Sequence, residues 1–100
     1  MTYEVIIRNQ AQLEIAEIMQ WYEDREKGLG SYFLICLDAS IEAMRRYPTA
    51  QRIIRHEYRR FFVRKFPVGI YYMVRENKIY VDVVEPFQRD PSILDEKLKE

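Results

Sequence analysis

Residues 58–90 read YRRFFVRKFPVGIYYMVRENKIYVDVVEPFQRD, and this stretch holds three strand-like runs joined by two short connections. Apolar residues alternate with others over residues 68–74 and again over 78–84, a period of two that is typical of strands with one buried face. The polar residues 75–78 between these runs favour a tight antiparallel hairpin. Pro67 makes the earlier break, because proline cannot donate a hydrogen bond to a sheet. The stretch therefore predicts an antiparallel meander.

The same alternation predicts which side chains of the meander face a core and which face away from it. The residues predicted to meet a covering layer are Ile70, Tyr72, Ile79, Val81 and Val83. The residues predicted to form an exposed apolar surface on the opposite face are Tyr71, Met73, Tyr80 and Val84.

The chain before the meander supplies the covering layer. Residues 2–8 alternate and predict a first strand. Asn9 has the character of an N-cap, with Gln12 as its capping-box partner, and helical spacing then predicts a helix to about Lys27. Its acidic side chains are interpreted as a solvated face; they are Glu14, Glu17, Glu23, Asp24 and Glu26.

A second helix is predicted from Ser31 to about Tyr47, after Gly28 and Gly30 have ended the first. Its buried stripe falls at helical spacing and comprises Phe33, Cys36, Leu37, Ser40, Ile41 and Met44. The two helices then form an antiparallel hairpin on one face of the sheet. The predicted fold is a small α+β domain of order βααβββ, with the meander covered on one face by the helical hairpin.

Two segments remain open between alternatives. Residues 52–56 fit either a short strand or an extended loop, because Ile53 and Ile54 break the alternation. Pro86 ends the last strand, and residues 91–100 fit either a short C-terminal helix or a frayed tail.

The composition predicts one domain over residues 1–100. The chain is 48% hydrophobic and 14% aromatic, which suffices for one core, and its single cysteine excludes an internal disulfide. No signal peptide or membrane span is apparent, so a cytoplasmic protein is expected. The formal net charge is zero, which argues against binding nucleic acid by bulk charge alone.

The sequence carries no pattern for a nucleotide cofactor or for a metal centre, and no cofactor is expected. One cysteine and one histidine cannot form a structural zinc site. Cys36 is interpreted as an inert core thiol because it lies on the buried stripe. His56 has no carboxylate placed beside it by sequence, and is interpreted as a surface residue.

Basic side chains are concentrated in the second half of the chain. Residues 1–50 hold five basic and eight acidic residues, whereas residues 51–100 hold eleven basic and eight acidic residues. The candidate target-binding residues are Arg59, Arg60, Arg64, Lys65, Arg75 and Arg89. Such a cluster beside Tyr71 and Tyr80 would suit phosphate or carboxylate recognition. The alternative is a surface paired with the acidic first helix.

The arrangement resembles the toxins of type II toxin-antitoxin modules, the RelE/ParE superfamily, and within it the ParE-like branch. The similar segments are TYEVIIR at 2–8, A-x-x-E-I-x-x-x-x-x-W-Y at 11–22, GLGSYF at 28–33, Tyr47-Pro48, RRFFVRKFPVGIYYMV at 59–74 and IYVDVVEPFQRDP at 79–91. The most specific parts are RKFPVGIYY at 64–72 and Arg89-Asp90-Pro91. The resemblance covers nearly the whole chain.

The resemblance implies a bacterial toxin that a partner antitoxin neutralises by wrapping it with a C-terminal segment. ParE-like toxins poison DNA gyrase, whereas RelE-like toxins cut mRNA in the ribosome with basic side chains and a tyrosine or histidine near the C-terminus. In this chain Gln88 precedes Arg89 where many relatives carry a histidine, and no tyrosine or histidine follows Tyr80.

That departure favours a non-enzymatic gyrase inhibitor. The residues predicted to bind the antitoxin are those of the exposed apolar surface, Tyr71, Met73, Tyr80 and Val84. One alternative is a ribosome-dependent endoribonuclease that uses Arg60, Arg64, Arg75 and Arg89. Another is an inactive remnant that only binds antitoxin.

Overall fold

A computed structural model describes residues 2–86 and 97–98 and has the predicted α+β architecture. Its elements are β1 (Glu4–Ile7), α1 (Asn9–Arg25), α2 (Leu29–Arg46), β2 (Ile53–Arg55), β3 (Tyr58–Phe62), β4 (Val68–Arg75) and β5 (Lys78–Pro86). The ambiguous segment 52–56 thus contains a short strand. No helix in the described ranges is long and apolar enough to cross a membrane. Residues 91–100, predicted to form either a short helix or a frayed tail, lie mostly outside the described residues.

The five strands form one mixed sheet in the order β1-β5-β4-β3-β2. The meander from β2 to β5 is antiparallel, as predicted, and β1 joins β5 in parallel after the chain has crossed over through the two helices. Because β1 pairs only with residues 78–81, no strand among the described residues lies beside the second half of β5 on that side.

The helical hairpin covers one face of this sheet, here called the helix face. Phe33, Leu37, Ile41 and Met44 of α2 are buried with sheet residues in one core cluster. The sheet residues that join them, as predicted, are Ile70, Tyr72, Ile79 and Val81. Cys36 is also buried there, which confirms its interpretation as a core thiol.

A register shift in β5 overturns the prediction for Val83 and Val84. The pairing of Tyr71 with Val83 and of Tyr72 with Val81 leaves one extra residue in β5, Asp82. Because side chains alternate between faces, one extra residue reverses every face assignment beyond it. Val84 therefore lies in the helix-face core, and Val83 lies on the opposite face, here called the outer face.

The acidic face of α1 is only partly solvated, which corrects a second prediction. Glu23 is half-buried, and its two carboxylate oxygens accept hydrogen bonds from the backbone N–H groups of Gly28 and Gly30, each at 3.0 Å. These amides belong to the first turn of α2, whose N–H groups have no partner within the helix. Glu23 therefore caps α2, which begins two residues before the predicted Ser31. Glu14 is also buried.

The start of α1 differs in a smaller way. Asn9 is the first helical residue, and Arg8, which precedes it, makes no capping hydrogen bond with its side chain. The side-chain amide of Gln12 instead donates to the carbonyl of Ile7 at 2.8 Å, across the junction between β1 and α1.

Candidate functional site: the outer face of the sheet

Arg60 is the predicted cation that lies most clearly on the outer face. It pairs with Tyr71 across β3 and β4, so the two side chains share a face. Its guanidinium lies 4.8 Å from the ring centroid of Phe62 and 6.0 Å from that of Tyr71. Both distances are within the range of cation-π attraction. Arg60 therefore presents a half-buried positive charge close to two aromatic rings.

Arg59 points the other way and has a structural role. Its guanidinium donates to the carbonyl of Thr49 at 3.3 Å and to that of Gln51, both in the loop between α2 and β2. It also lies near Tyr72, whose pKa burial raises to about 12 against the opposing charge of Arg59 and whose hydroxyl donates to the carbonyl of Pro48 at 2.7 Å. The Arg59 guanidinium thus holds this loop on the helix face.

Arg64 and Lys65 lie together in the loop between β3 and β4, and both are exposed. The backbone N–H of Arg64 donates to the hydroxyl of Ser40 on α2 at 2.8 Å, and that hydroxyl donates to the carbonyl of Cys36 at 2.7 Å. These bonds fix the loop to the helical layer. The side chains of Arg64 and Lys65 therefore extend from a loop whose backbone is attached to α2.

Arg75 is at the opposite end of the sheet. It ends β4, whereas Arg64 precedes that strand, and eight residues of strand span about 25 Å. Its guanidinium pairs with Glu57 at 2.8 Å, and both side chains are about half exposed. The predicted single cluster is therefore divided between two ends of the sheet. Arg89 lies outside the described residues.

The apolar outer face is less exposed than predicted. Tyr71 and Met73 are almost fully buried, in a cluster completed by Tyr58, Val83 and Leu98. Leu98 covers this cluster from the C-terminal part of the chain, which explains the loss of exposure. Val84 is absent from it because of the shift in β5.

The hydroxyl of Tyr71 has no hydrogen-bond partner among the described residues although the side chain is buried. A buried hydroxyl without a partner costs about 1–3 kcal/mol. The outer face therefore contains an unmet hydrogen-bonding group next to Arg60.

Tyr80 is half-buried at the other end of the outer face, where its neighbours are not the predicted arginines. Arg8 lies 4.5 Å from the centroid of the Tyr80 ring, and the same guanidinium pairs with Asp82 at 3.0 Å. Asp82 also accepts a hydrogen bond of 2.5 Å from the hydroxyl of Tyr58. This network ties β1 to β5 and β3. Sequence reasoning had interpreted Arg8 only as a strand residue.

A cleft with two buried carboxylates at the edge of β5 was missed by the sequence analysis. The cleft has a volume of about 90 Å³ and is lined by residues of α1, the end of β5 and Lys97. Glu14 accepts the backbone N–H of Val84 at 2.9 Å, in the part of β5 that β1 leaves unpaired. Lys97 binds Glu14 at 2.5 Å and Glu85 at 2.7 Å.

The charges of this cleft depend on one another. Burial lowers the pKa of Lys97, but its hydrogen bonds to Glu14 and Glu85 and their negative charges outweigh burial and raise that pKa. Lys97 therefore remains an ammonium between two carboxylates. The sequence did contain one signal for Glu14, because it shares helical spacing with the buried Ala11 and Ile18.

The described residues contain no group of three or more histidine, cysteine or acidic side chains placed to hold a metal ion. His56 is exposed in the turn between β2 and β3. The outer face thus carries an arginine near two aromatic rings and a covered apolar cluster, and two exposed cations lie in the loop between β3 and β4.

Comparison of sequences identifies no matching family model and no matching curated protein. The fold, in contrast, is similar to that of a solved structure titled "Chromosomal ParDE TA system from P. aeruginosa". The similarity has a TM-score of 0.72 at 9% sequence identity, and it covers 85% of this chain and 96% of the other. At that identity the likeness establishes the shared fold, and it agrees with the resemblance to ParE-like toxins.

Proposed function

We propose that this chain is the toxin of a bacterial type II toxin-antitoxin module, that it acts by inhibiting DNA gyrase, and that a cognate antitoxin neutralises it. The observation that carries the proposal is the fold shared with a chain of a ParDE toxin-antitoxin system over most of both chains. The RKFPVGIYY segment supports it from the sequence side, since it forms the anchored basic loop and the first part of β4.

In this proposal the toxin acts by binding its target. Arg60 lies in the middle of β3, Arg64 and Lys65 lie in the loop that follows it, and the three supply positive charge. The Arg60 guanidinium lies near two aromatic rings, and the backbone of Arg64 is anchored to Ser40. A side chain that is already positioned, as that of Arg60 is, loses less conformational entropy when an acidic or phosphate-bearing surface binds.

The geometry gives less support to a ribosome-dependent endoribonuclease. That mechanism would require Arg60, Arg64, Arg75 and Arg89 to surround one phosphate. Arg64 and Arg75 are separated by the length of β4, about 25 Å, and Arg75 already pairs with Glu57. These positions favour a binding surface over a single phosphate-transfer site.

The test is induction of the gene alone in a bacterial cell, together with a DNA supercoiling assay with purified gyrase and purified chain. Filamentation, DNA damage and loss of supercoiling activity are expected. Immediate loss of protein synthesis with normal supercoiling would instead indicate the endoribonuclease. Unimpaired growth would indicate a remnant without toxicity.

A co-expression experiment tests the antitoxin part of the proposal. The reading frame adjacent to this gene, expressed with it, is expected to restore growth and to co-purify with the chain. The control is the same pair with the adjacent frame interrupted by an early stop codon, which should leave the growth arrest in place.

A further inference from the structure

The loop between β3 and β4, residues 63–67, is fixed at its base although it carries exposed charges. The backbone N–H of Val63 donates to the carbonyl of Val68 at 2.8 Å, and the N–H of Val68 donates to the carbonyl of Phe66, also at 2.8 Å. The side chains of Val63 and Val68 are both buried. The chain therefore turns back tightly on itself before β4 begins.

Two further contacts attach this loop to the helical layer. Phe66 is buried, and its ring lies edge-on to Tyr22 of α1 at 4.7 Å and to Phe33 of α2 at 5.2 Å between centroids. Aromatic pairs in this range are favourable beyond the area that they bury. The second contact is the hydrogen bond from the N–H of Arg64 to the hydroxyl of the buried Ser40. The loop is thus bound to both helices.

Lys65 lies between these two contacts in a strained conformation. Its φ angle is 68°, in the left-handed region that is unfavourable for a residue with a Cβ atom. Such a conformation persists only where the surrounding structure imposes it. The residues on either side of Lys65 are the two that are attached to the helices, Arg64 through Ser40 and Phe66 through its ring. The two contacts therefore maintain the turn at Lys65.

The charges on this loop have no partner within the described part of the chain. Neither Arg64 nor Lys65 forms an ion pair with a described residue, and both side chains are exposed. Arg59 and Arg75 differ in this respect, because Arg59 donates to backbone carbonyls and Arg75 pairs with Glu57. Two adjacent cations thus extend from a fixed backbone without internal neutralisation.

We propose that Ser40 and Phe66 are positioning residues, which hold Arg64 and Lys65 as a preformed binding site for phosphate or carboxylate groups of the target. A fixed backbone reduces the conformational entropy that two long side chains lose when they bind such groups. The identity of the target rests on the proposed function. The binding site itself can be measured with a simple anion, inorganic tripolyphosphate.

The first test follows the backbone amides of Arg64 and Lys65 by NMR. Ser40→Ala removes the acceptor of the Arg64 N–H, while alanine favours the helix over serine, so the fold should be kept. The order parameters of the two amides are expected to fall from about 0.85 to below about 0.6. The affinity for tripolyphosphate is expected to fall about tenfold, because the loop must then be ordered on binding. Ser31→Ala, at an exposed serine of the same helix, is the matched control and should match the parent.

The second test separates positioning by Phe66 from a general role in stability. Phe66→Ala is expected to weaken tripolyphosphate binding about tenfold as well, whereas Phe66→Leu, which keeps a large apolar side chain in the cluster, should restore an affinity close to that of the parent. The NMR signals of the folded chain report the affinity of folded molecules only. A variant that merely unfolds therefore loses signal without losing affinity, and Ser40→Ala then decides.

Arg64→Gln combined with Lys65→Gln is the control for charge, and it should abolish binding while the loop stays ordered. Parent affinity in both Ser40→Ala and Phe66→Ala would overturn the proposal. Absence of tripolyphosphate-induced shifts at Arg64 and Lys65 in the parent would also overturn it.

The supercoiling assay links the loop to the target. Ser40→Ala and Phe66→Ala should each require about ten times more chain than the parent for equal inhibition. Inhibition as strong as that of the parent, from variants that bind tripolyphosphate weakly, would show that the target does not use this loop. The NMR tests require neither gyrase nor toxicity. Failure of the proposed function would therefore appear as a parent chain that leaves growth and supercoiling unaffected, whatever the loop binds.

Discussion

At the scale of single residues, buried polar groups impose the narrowest requirements on this fold. Tyr72 is buried on the helix face, and its hydroxyl donates to the carbonyl of Pro48. Burial raises the pKa of Tyr72 to about 12, although Arg59 acts in the opposite direction. Ionisation of Tyr72 would remove this donor and would therefore weaken the contact between the sheet and the loop after α2.

The pKa of Tyr72 predicts an alkaline loss of stability. Its phenol ionises at 10.0 when unperturbed and at about 12 in the folded chain, so the unfolded state loses the proton first and stability falls as pH rises from 10 to 12. The upper limit for a shift of this size is ~3 kcal/mol. Lys97, whose pKa is also raised, loses its stabilising charge in the alkaline range with the same sign.

Denaturant unfolding at several pH values between 9 and 12 checks this prediction. Tyr72→Phe is expected to flatten part of the alkaline slope even though it also removes one hydrogen bond. Tyr47→Phe, at a side chain that is 75% exposed, should keep the slope of the parent. Identical slopes for all three proteins would contradict the assignment.

A substitution of Leu37 tests the packing of the core at the same scale. Leu37 is buried between α2 and the sheet, so Leu37→Ala is predicted to lower the free energy of unfolding by ~2–5 kcal/mol. Ile35→Ala is the control, because Ile35 is 65% exposed and such a change is expected to stay within ~0.5 kcal/mol of the parent. Equal stability of the Leu37 variant and the parent would place this helix face in solvent.

At the scale of elements, the contact of α1 with α2 depends on the absence of a side chain at Gly30. A methyl group placed there would lie 2.6 Å from the carbonyl oxygen of Met19 and 3.0 Å from Glu23. The first contact is with backbone, which cannot turn away as a flexible side chain can. The two helices are therefore as close at this point as a glycine permits.

Gly30→Ala gives a prediction in which two effects oppose each other. Helix propensity favours alanine over glycine by ~1 kcal/mol, whereas a steric overlap in a packed interface costs ~1–3 kcal/mol. We expect the overlap to prevail and thermal unfolding to shift to lower temperature. Ser31→Ala, one residue along and exposed, should not destabilise the protein. A stabilised Gly30 variant would mean that the helices separate without cost.

At the scale of the whole molecule, the basic residues are arranged around the ends of the sheet and not in one patch. Arg64 and Lys65 lie at one end, and Arg75 lies at the other with Glu57. Although the net charge is zero, the basic side chains are therefore concentrated at these two places on the molecule. This arrangement allows the two ends to be tested separately.

Charge reversal at either end is predicted to abolish toxicity without unfolding the protein. Both Arg64 and Arg75 are exposed, so Arg64→Glu and Arg75→Glu should keep the far-ultraviolet circular dichroism of the parent while growth arrest is lost. Lys27→Glu, in the exposed turn between the helices, is the control and should remain toxic. Loss of toxicity in only one variant would assign the target to that end, and full toxicity in both would exclude these residues.

Antitoxin binding is predicted to protect the meander. An acidic tail that crosses the outer face between the ends marked by Arg64 and Arg75 should slow hydrogen exchange in β3, β4 and β5, because binding covers the face and stabilises the sheet. Hydrogen exchange with mass spectrometry on the complex measures this. Protection confined to the acidic side of α1 would contradict the predicted site.

The sequence by itself determined most of the elements of this protein and most of its helix-face core. Period-two alternation over residues 68–74 and 78–81, and the stripe from Phe33 to Met44, are local patterns that express the geometry of a strand and a helix directly. These patterns were sufficient to predict the meander, the helical hairpin and the burial of Leu37. The family resemblance shared the meander with these patterns and rested otherwise on segments of the first strand, the first helix and the ends of the second helix.

Only the tertiary structure decided which residues lie on the outer face and which of them meet. One extra residue in β5 exchanged the faces of Val83 and Val84, and no local pattern distinguishes such a bulge from a regular strand. The cleft joins Glu14 to Lys97, 83 residues apart, and the separation of Arg64 from Arg75 follows from the direction of β4. These features depend on which distant residues meet, and that is settled by packing and electrostatics across the whole fold.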